Sequence, residues 1–125
     1  IQQVLSIRKT PVVYTTRGEL EFASASARFI FGLELSNLMA RLVKQIVSQI
    51  GYVISKGGIT THILLSKGLE LEEVELIGQI LPGLSVVKAQ ILLKKAQLPI
   101  LTFPGNLGDN NTLLDAWKLM EGREE

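Results

Sequence analysis

The feature that most constrains this chain is an apolar segment that ends in a pair of glycines. The segment reads Tyr52-Val53-Ile54-Ser55-Lys56-Gly57-Gly58-Ile59-Thr60-Thr61-His62. Its β-branched residues favour a buried strand, the glycines a tight turn, and the residues after them the start of a helix. The first turn of a helix leaves backbone N–H groups without partners, and such groups bind phosphate. Because glycine has no Cβ, an anion can approach the turn closely. The segment therefore predicts a site for a phosphorylated ligand.

The composition narrows the classes of protein to which the chain can belong. With 125 residues, 46% of them hydrophobic, it is long enough for one domain with a real core. The 13 basic and 12 acidic residues nearly cancel, which gives no electrostatic reason to expect nucleic acid or an anionic membrane as a partner. The absence of cysteine excludes disulfides, thiolate nucleophiles and zinc held by cysteine.

The ends of the sequence and its apolar runs suggest where the protein acts. No apolar run reaches the roughly 20 residues that a membrane-spanning helix needs. No basic and apolar leader opens the chain, so the expected location is cytoplasmic. The chain begins at Ile1 without an initiator methionine, and we expect it to be a piece of a longer protein.

Strand and helix patterns alternate along the chain. Strands are predicted at residues 11–16, 52–56, 74–81, 85–93 and 99–103. Helices are predicted from about residue 27 to Gly51, from about 60 to 67, and from 111 or 112 onward. The first helix carries a regular apolar stripe that we expect to face the core: Leu35, Leu38, Met39, Leu42, Val43, Ile46, Val47 and Ile50. This order predicts an α/β layered fold with a mixed β-sheet flanked by helices.

A second glycine turn repeats the logic of the first. Residues 104–111 read Pro-Gly-Asn-Leu-Gly-Asp-Asn-Asn, again between a strand and a helix start. Ligands of open α/β sheets gather at the carboxyl ends of strands, so two such turns on neighbouring strands would form facing walls of one pocket. Neither turn matches the dinucleotide fingerprint or the phosphate loop. Ordinary turns and helix caps are the alternative interpretation.

Few other polar residues compete for a functional role. Lys56 lies beside the first glycine pair, where a cation could bind phosphate or pair with a carboxylate. His62, the only histidine, lies in the first turn of a helix and is better explained as a surface residue. Asp109 is expected to cap a helix, and the acidic residues of segment 70–75 are expected to be solvated.

Three motifs in order give the chain a family resemblance. They are Ile54-Ser55-Lys56-Gly57-Gly58-Ile59-Thr60-Thr61, Gly78-Gln79-Ile80-Leu81-Pro82-Gly83-Leu84 and Phe103-Pro104-Gly105-Asn106-Leu107-Gly108. Together with the opening Val12-Val13-Tyr14-Thr15-Thr16-Arg17, they resemble the C-terminal, nucleotide-binding half of the four-carbon acid sugar kinases. These enzymes phosphorylate threonate, erythronate or 2-oxo-tetronate with ATP. The resemblance covers nearly the whole chain.

The resemblance implies which residues bind the nucleotide. ATP, with Mg²⁺ carried on its phosphates, would contact both turns. The residues concerned are Gly57, Gly58, Ile59, Thr60, Thr61, Gly105, Asn106 and Gly108. The chain departs from the family pattern at three positions. Ile59 replaces a frequent acidic residue, Thr61 replaces serine, and Phe103 replaces a lysine that would neutralise phosphate. Lys56 could supply the missing charge.

The resemblance also implies a missing partner. In this family an N-terminal domain binds the sugar acid and supplies the aspartate base, and nothing in this chain resembles it. Residues 1–125 would thus be a single nucleotide-binding domain, the C-terminal half of a two-domain kinase, and inactive alone. The alternatives are a non-catalytic module for another phosphorylated metabolite and a structural association domain. A homodimer is a further expectation.

Overall fold

The fold is built on a mixed four-stranded sheet. The computed structural model describes residues 1–16, 20–91 and 96–122. The strands are β1 (Val53–Lys56), β2 (Glu75–Leu81), β3 (Leu84–Ile91) and β4 (Ala96–Phe103). Their order in the sheet is β1-β4-β3-β2, with β1 parallel to β4 and the other neighbours antiparallel. The hairpin between β2 and β3 turns at Gly83, whose φ of 78° favours glycine.

The described ranges contain four α-helices. They are α1 (Gln2–Ser6), α2 (Ala25–Ile46), α3 (Gly58–Ile63) and α4 (Thr112–Met120). A 3₁₀ turn at Val47–Gln49 follows α2, and one π-helical turn at Leu64–Gly68 follows α3. The chain is thus an α/β layered fold, as the sequence predicts. No helix in the described ranges is both long and apolar enough to cross a membrane.

The core lies on both faces of the sheet because alternate residues of the central strands point to opposite sides. One cluster contains Val47, Val87, Ala89, Ile91, Leu98 and Ile100. The other contains Leu84, Val86, Leu101, Phe103 and Ala116. Strand β4 contributes to both clusters, and burying each of its large apolar side chains stabilises the fold by about 1.5–3 kcal/mol. The strand that ends at the second glycine turn is therefore firmly anchored.

The apolar stripe of α2 is only partly the face that packs on the domain. The buried residues of α2 are Ser36 and Ala40, which are not members of the predicted stripe. Leu38, which is a member of the stripe, is 45% exposed. A Cβ added to Gly68 would lie 3.0 Å from the Ala40 Cβ. Small side chains thus let α2 approach the π-helical turn closely, which a search for large apolar residues overlooks.

Several predicted boundaries differ from the structure. Residues 11–16 form no strand, and Val12 and Tyr14 are more than 70% exposed. The β-branched sequence there has no neighbouring strand, and strand propensity is expressed only where pairing and packing support it. Helix α2 begins at Ala25, earlier than predicted, because the Ser24 side chain accepts a hydrogen bond from the Ala27 N–H at 3.1 Å. It ends at Ile46, well before Gly51.

The remaining boundaries lie closer to the predicted positions. Helix α3 begins at residue 58 because the turn is completed by Gly57. Strand β4 begins at residue 96, three residues earlier than predicted. The end of the strand predicted at 85–93 lies partly in residues 92–95, outside the described residues.

A polar cluster fixes the amino-terminal segment against the domain. Glu121 accepts hydrogen bonds from the hydroxyls of Thr10, at 2.9 Å, and of Tyr52. The Trp117 indole N–H donates to the Thr10 hydroxyl at 3.1 Å. Burial and then the Glu121 hydrogen bond raise the pKa of Tyr52. The cluster lies where β1 begins, at the opposite end of that strand from the glycine turns.

Candidate functional site

The two glycine turns lie side by side. Strands β1 and β4 are parallel neighbours and end together, with Lys56 opposite Phe103. The Gly57 N–H donates a 2.8 Å hydrogen bond to the Phe103 carbonyl. A Cβ added to Gly105 would lie 3.7 Å from the Gly57 Cα. The backbones of the turns are therefore in contact, which makes one continuous surface at the carboxyl edge of the sheet.

In the first turn the two glycines have different roles. Gly57 has φ 105° and ψ 133°, a backbone conformation that residues other than glycine rarely adopt. Gly58 begins α3, and a Cβ placed on it would meet no atom within 4 Å. The conformational demand thus rests on Gly57, and the open space lies in front of Gly58. Ile59, 60% exposed, stands beside this space.

The two threonines that follow also differ. Thr61 is buried, and its hydroxyl donates a 2.8 Å hydrogen bond to the Ser55 Oγ. That hydroxyl joins α3 to β1, so its contact is with the protein. The Thr60 Oγ1 lies 3.7 Å from a Cβ built on Gly57 and is therefore next to the turn. Of the two hydroxyls, Thr60 is the one on the turn side.

Lys56 bridges the two turns. Its ammonium donates a 2.8 Å hydrogen bond to the Gly105 carbonyl and lies 4.6 Å from the centroid of the Phe103 ring. The ring is almost fully buried, so it forms a fixed platform below the cation. The residue that the sequence singled out for its charge is thus attached to the opposite wall.

The second turn divides into an exposed tip and a rigid exit. Gly105, Asn106 and Gly108 are all exposed. Gly108 has φ 84°, and a Cβ there would lie 2.5 Å from the Thr112 Oγ1. The Asp109 carboxylate accepts hydrogen bonds from the N–H groups of Asn111, at 2.8 Å, and of Thr112, at 3.1 Å. The Asn111 bond, followed by the Thr112 hydroxyl, lowers the pKa of Asp109. Asp109 thus caps the entry to α4, and Gly108 is required there by geometry.

The other polar candidates lie outside this surface or add little to it. His62 is exposed on α3. Among the described residues, the acidic segment 70–75 forms one ion pair, in which the Glu70 carboxylate lies 2.7 Å from the Lys44 ammonium. Within the same part of the chain, no group of three or more His, Asp or Glu side chains could hold a metal ion.

Two clefts in the described part of the chain lie away from the glycine turns. One of about 580 Å³ lies between α2 and the π-helical turn, lined by Arg41 and Lys67 among others. Another of about 350 Å³ lies where Tyr52 and Pro99 meet α4. At the glycine turns, Gly58, Gly105 and Asn106 are exposed. Phosphate sites made by backbone N–H groups do not require a deep cleft, so the turns remain the candidate site.

A family comparison classifies the domain. The family described as "Nucleotide-binding C-terminal domain" matches residues 1–113, which include all four strands and both glycine turns. The chain therefore belongs to this family, which is the family of the four-carbon acid sugar kinases. It is a nucleotide-binding domain. No curated protein and no solved structure matches the chain.

The sequence did not predict the long-range contacts that bring the two turns together. The Gly57–Phe103 and Lys56–Gly105 hydrogen bonds join residues from distant parts of the chain. Their only signal in the sequence is that both turns follow strands, which leaves open whether those strands are neighbours.

Proposed function

We propose that the chain is the ATP-binding half of a two-domain kinase for a four-carbon sugar acid. The observation that carries the proposal is the contact between two glycine turns at the carboxyl ends of neighbouring parallel strands, in a domain of a nucleotide-binding family. Residues 1–125 are then one domain, the C-terminal half. A separate N-terminal domain supplies the sugar-acid site and the base, and the enzyme works in the cytoplasm.

The residues around the turns fit a polyphosphate. The open space at Gly58 admits phosphate oxygens to the backbone N–H groups at the start of α3. Lys56 places a cation between the turns, and Gly105 and Asn106 are exposed in the second turn. Thr60 offers a hydroxyl, and Ile59 an apolar surface. Thr61 supports the first turn by joining α3 to β1, and Gly108 gives the second turn its shape through its positive φ.

Binding the phosphate donor and the acceptor on two different domains suits phosphoryl transfer. That reaction depends mainly on positioning the reactants and neutralising charge, so donor and acceptor can be held by different domains. In this scheme the chain's own residues bind and orient the polyphosphate. Mg²⁺ would neutralise charge on the nucleotide phosphates, and we assign it no ligand from this chain.

Exposed apolar side chains favour a second role in association. Phe29, Ile30 and Phe31 are each more than 40% exposed on the first half of α2. Such a surface suits a protein partner, either the N-terminal domain or a second copy in a homodimer. Light scattering coupled to size-exclusion chromatography tests the homodimer: a mass of twice 13.7 kDa supports it. A monomer at all concentrations contradicts it.

Calorimetry with the 125-residue chain tests the main proposal. We expect weak binding of ATP and ADP and no phosphorylation of D-threonate or D-erythronate by the chain alone. Preference for an unrelated phosphorylated metabolite would favour a non-catalytic module, and no binding at all would favour a structural domain. Unaided phosphorylation of either acid would contradict the two-domain scheme.

A pair of glycine variants locates the site. Gly58→Val places a β-branched side chain in the open space and should abolish ATP binding while the domain stays folded. Gly51→Val is the matched control, since a Cβ at Gly51 also meets no atom within 4 Å but lies before β1, at the other end of the strand. Equal ATP affinity in both folded variants would reject the first turn as the phosphate site.

A further inference from the structure

Within the described ranges, the side chain that joins the two turns by a hydrogen bond is that of Lys56. Its ammonium has three N–H donors, and one of them is used by the Gly105 carbonyl at 2.8 Å. In the described part of the chain it forms no ion pair with a carboxylate. Two donors and the full positive charge therefore stay available to an anion at this edge of the sheet.

The contact also restrains the second turn. Lys56 lies over the buried Phe103 ring, which limits where its ammonium can go. The tip of the turn has its own 3.2 Å hydrogen bond from the Leu107 N–H to the Pro104 carbonyl. Gly105, between those residues, is anchored from outside by Lys56. The position of the turn therefore depends on a side chain from the strand beside it.

We propose that Lys56 both positions the second turn and binds the charged part of the ligand, which makes the site selective for nucleoside polyphosphates over the uncharged nucleoside. This inference rests on the proposed function. Holding Gly105 in place lowers the ordering cost of binding a ligand that spans both turns. The remaining donors then bind the charged part of that ligand, which adenosine lacks.

The first test needs no nucleotide. In Lys56→Met, which keeps the apolar stem, amide hydrogen exchange at Leu107 should be several-fold faster than in the wild-type chain. Lys88→Met is the matched control, a lysine on β3 opposite Pro99 and away from both turns, and should leave that exchange unchanged. An unchanged Leu107 rate in Lys56→Met would overturn the positioning role.

The second test compares ligands by calorimetry. Lys56→Met should bind ATP about tenfold more weakly, the lower end for a charge-assisted hydrogen bond because the residue is exposed. Its affinity for adenosine should stay within about twofold. Lys56→Arg should restore ATP affinity to within about threefold, because it keeps the charge and a donor.

The outcomes separate the two proposals. A wild-type chain that binds no ATP defeats the proposed function and, with it, the selectivity. Wild-type binding with no ATP loss in Lys56→Met overturns the inference alone. Equal losses for ATP and adenosine also overturn it, since Lys56 would then serve only the fold.

Discussion

The two neighbouring glycines of the first turn should respond in opposite ways to the same substitution. At Gly57, φ 105° with ψ 133° lies in a region essentially reserved for glycine. The nearest atom to an added Cβ is the Thr60 Oγ1 at 3.7 Å, an ordinary contact, so the cost of Gly57→Ala is conformational. That cost is about 1–3 kcal/mol. At Gly58 the backbone is compatible with alanine and the space is open.

Gly58→Ala should therefore stabilise the domain. Alanine reduces the conformational freedom of the unfolded chain, which is worth about 0.4–1 kcal/mol at a position without strain. Gly57→Ala gains the same amount from its unfolded chain, so the two variants should differ by the conformational cost alone, about 1–3 kcal/mol in the free energy of unfolding. Because they differ by one position in the same turn, errors from the denatured state largely cancel.

Urea denaturation followed by circular dichroism and by Trp117 fluorescence measures this difference. We expect the urea concentration at the unfolding midpoint to fall for Gly57→Ala and to rise for Gly58→Ala. The dependence of the free energy of unfolding on urea should be the same in both variants. If Gly57→Ala were as stable as wild type, the turn would not have the positive φ on which the shape of the site depends. If both variants were equally destabilised, the space at Gly58 would be filled in solution.

Four further changes examine the core, the helix joint and the two shifted pKa values. Ile100→Ala, which truncates a fully buried side chain, should lower the free energy of unfolding by about 2–5 kcal/mol in the same denaturation assay. Thr61→Val should cost about 1–2 kcal/mol by deleting the hydroxyl that joins α3 to β1, whereas Thr61→Ser should cost less. The raised pKa of Tyr52 means that its contribution is present below about pH 10 and is lost as the pH rises through the folded-state pKa, so Tyr52→Phe should flatten the alkaline end of a stability–pH curve. The lowered pKa of Asp109 means the reverse: its contribution is present above about pH 4 and is lost as the pH falls through the folded-state value. Asp109→Asn should therefore remove part of the acid sensitivity, and an unchanged acid limb would argue against the cap.

The sequence correctly predicted the elements that depend on residues close together in the chain. The strand at 53–56, the turn after it and the helix start near Thr112 all follow from apolar runs, glycines and polar caps within a few residues. The strand predicted at 11–16 failed because its β-branched residues express that preference only beside a partner strand. The predicted face of α2 was right in part: Val47 is in the core and Leu38 is exposed, and the close contact of Ala40 with Gly68 was not predicted.

The site was predictable in its parts and not in its assembly. Both turns and Lys56 were proposed from residue types alone, and their binding of nucleotide stays a prediction. The sequence did not reveal that the Lys56 ammonium reaches the Gly105 carbonyl, since that depends on β1 and β4 being neighbours. It also did not assign the positive φ to Gly57 rather than Gly58, because a glycine pair leaves either position free to take it.

The parallel pairing of β1 with β4 has a consequence for how the domain acquires its activity. In the described part of the chain, strand β1 is at the edge of the sheet and pairs with β4 alone. As the chain is synthesised, the first turn is complete long before the last strand exists, and it has no opposite wall until Phe103 and Gly105 arrive. Contacts between such distant residues form late and set the pace of folding. Nucleotide binding should consequently report the final step of maturation, and a nascent chain that stops before β4 should not bind, however well its earlier elements are formed.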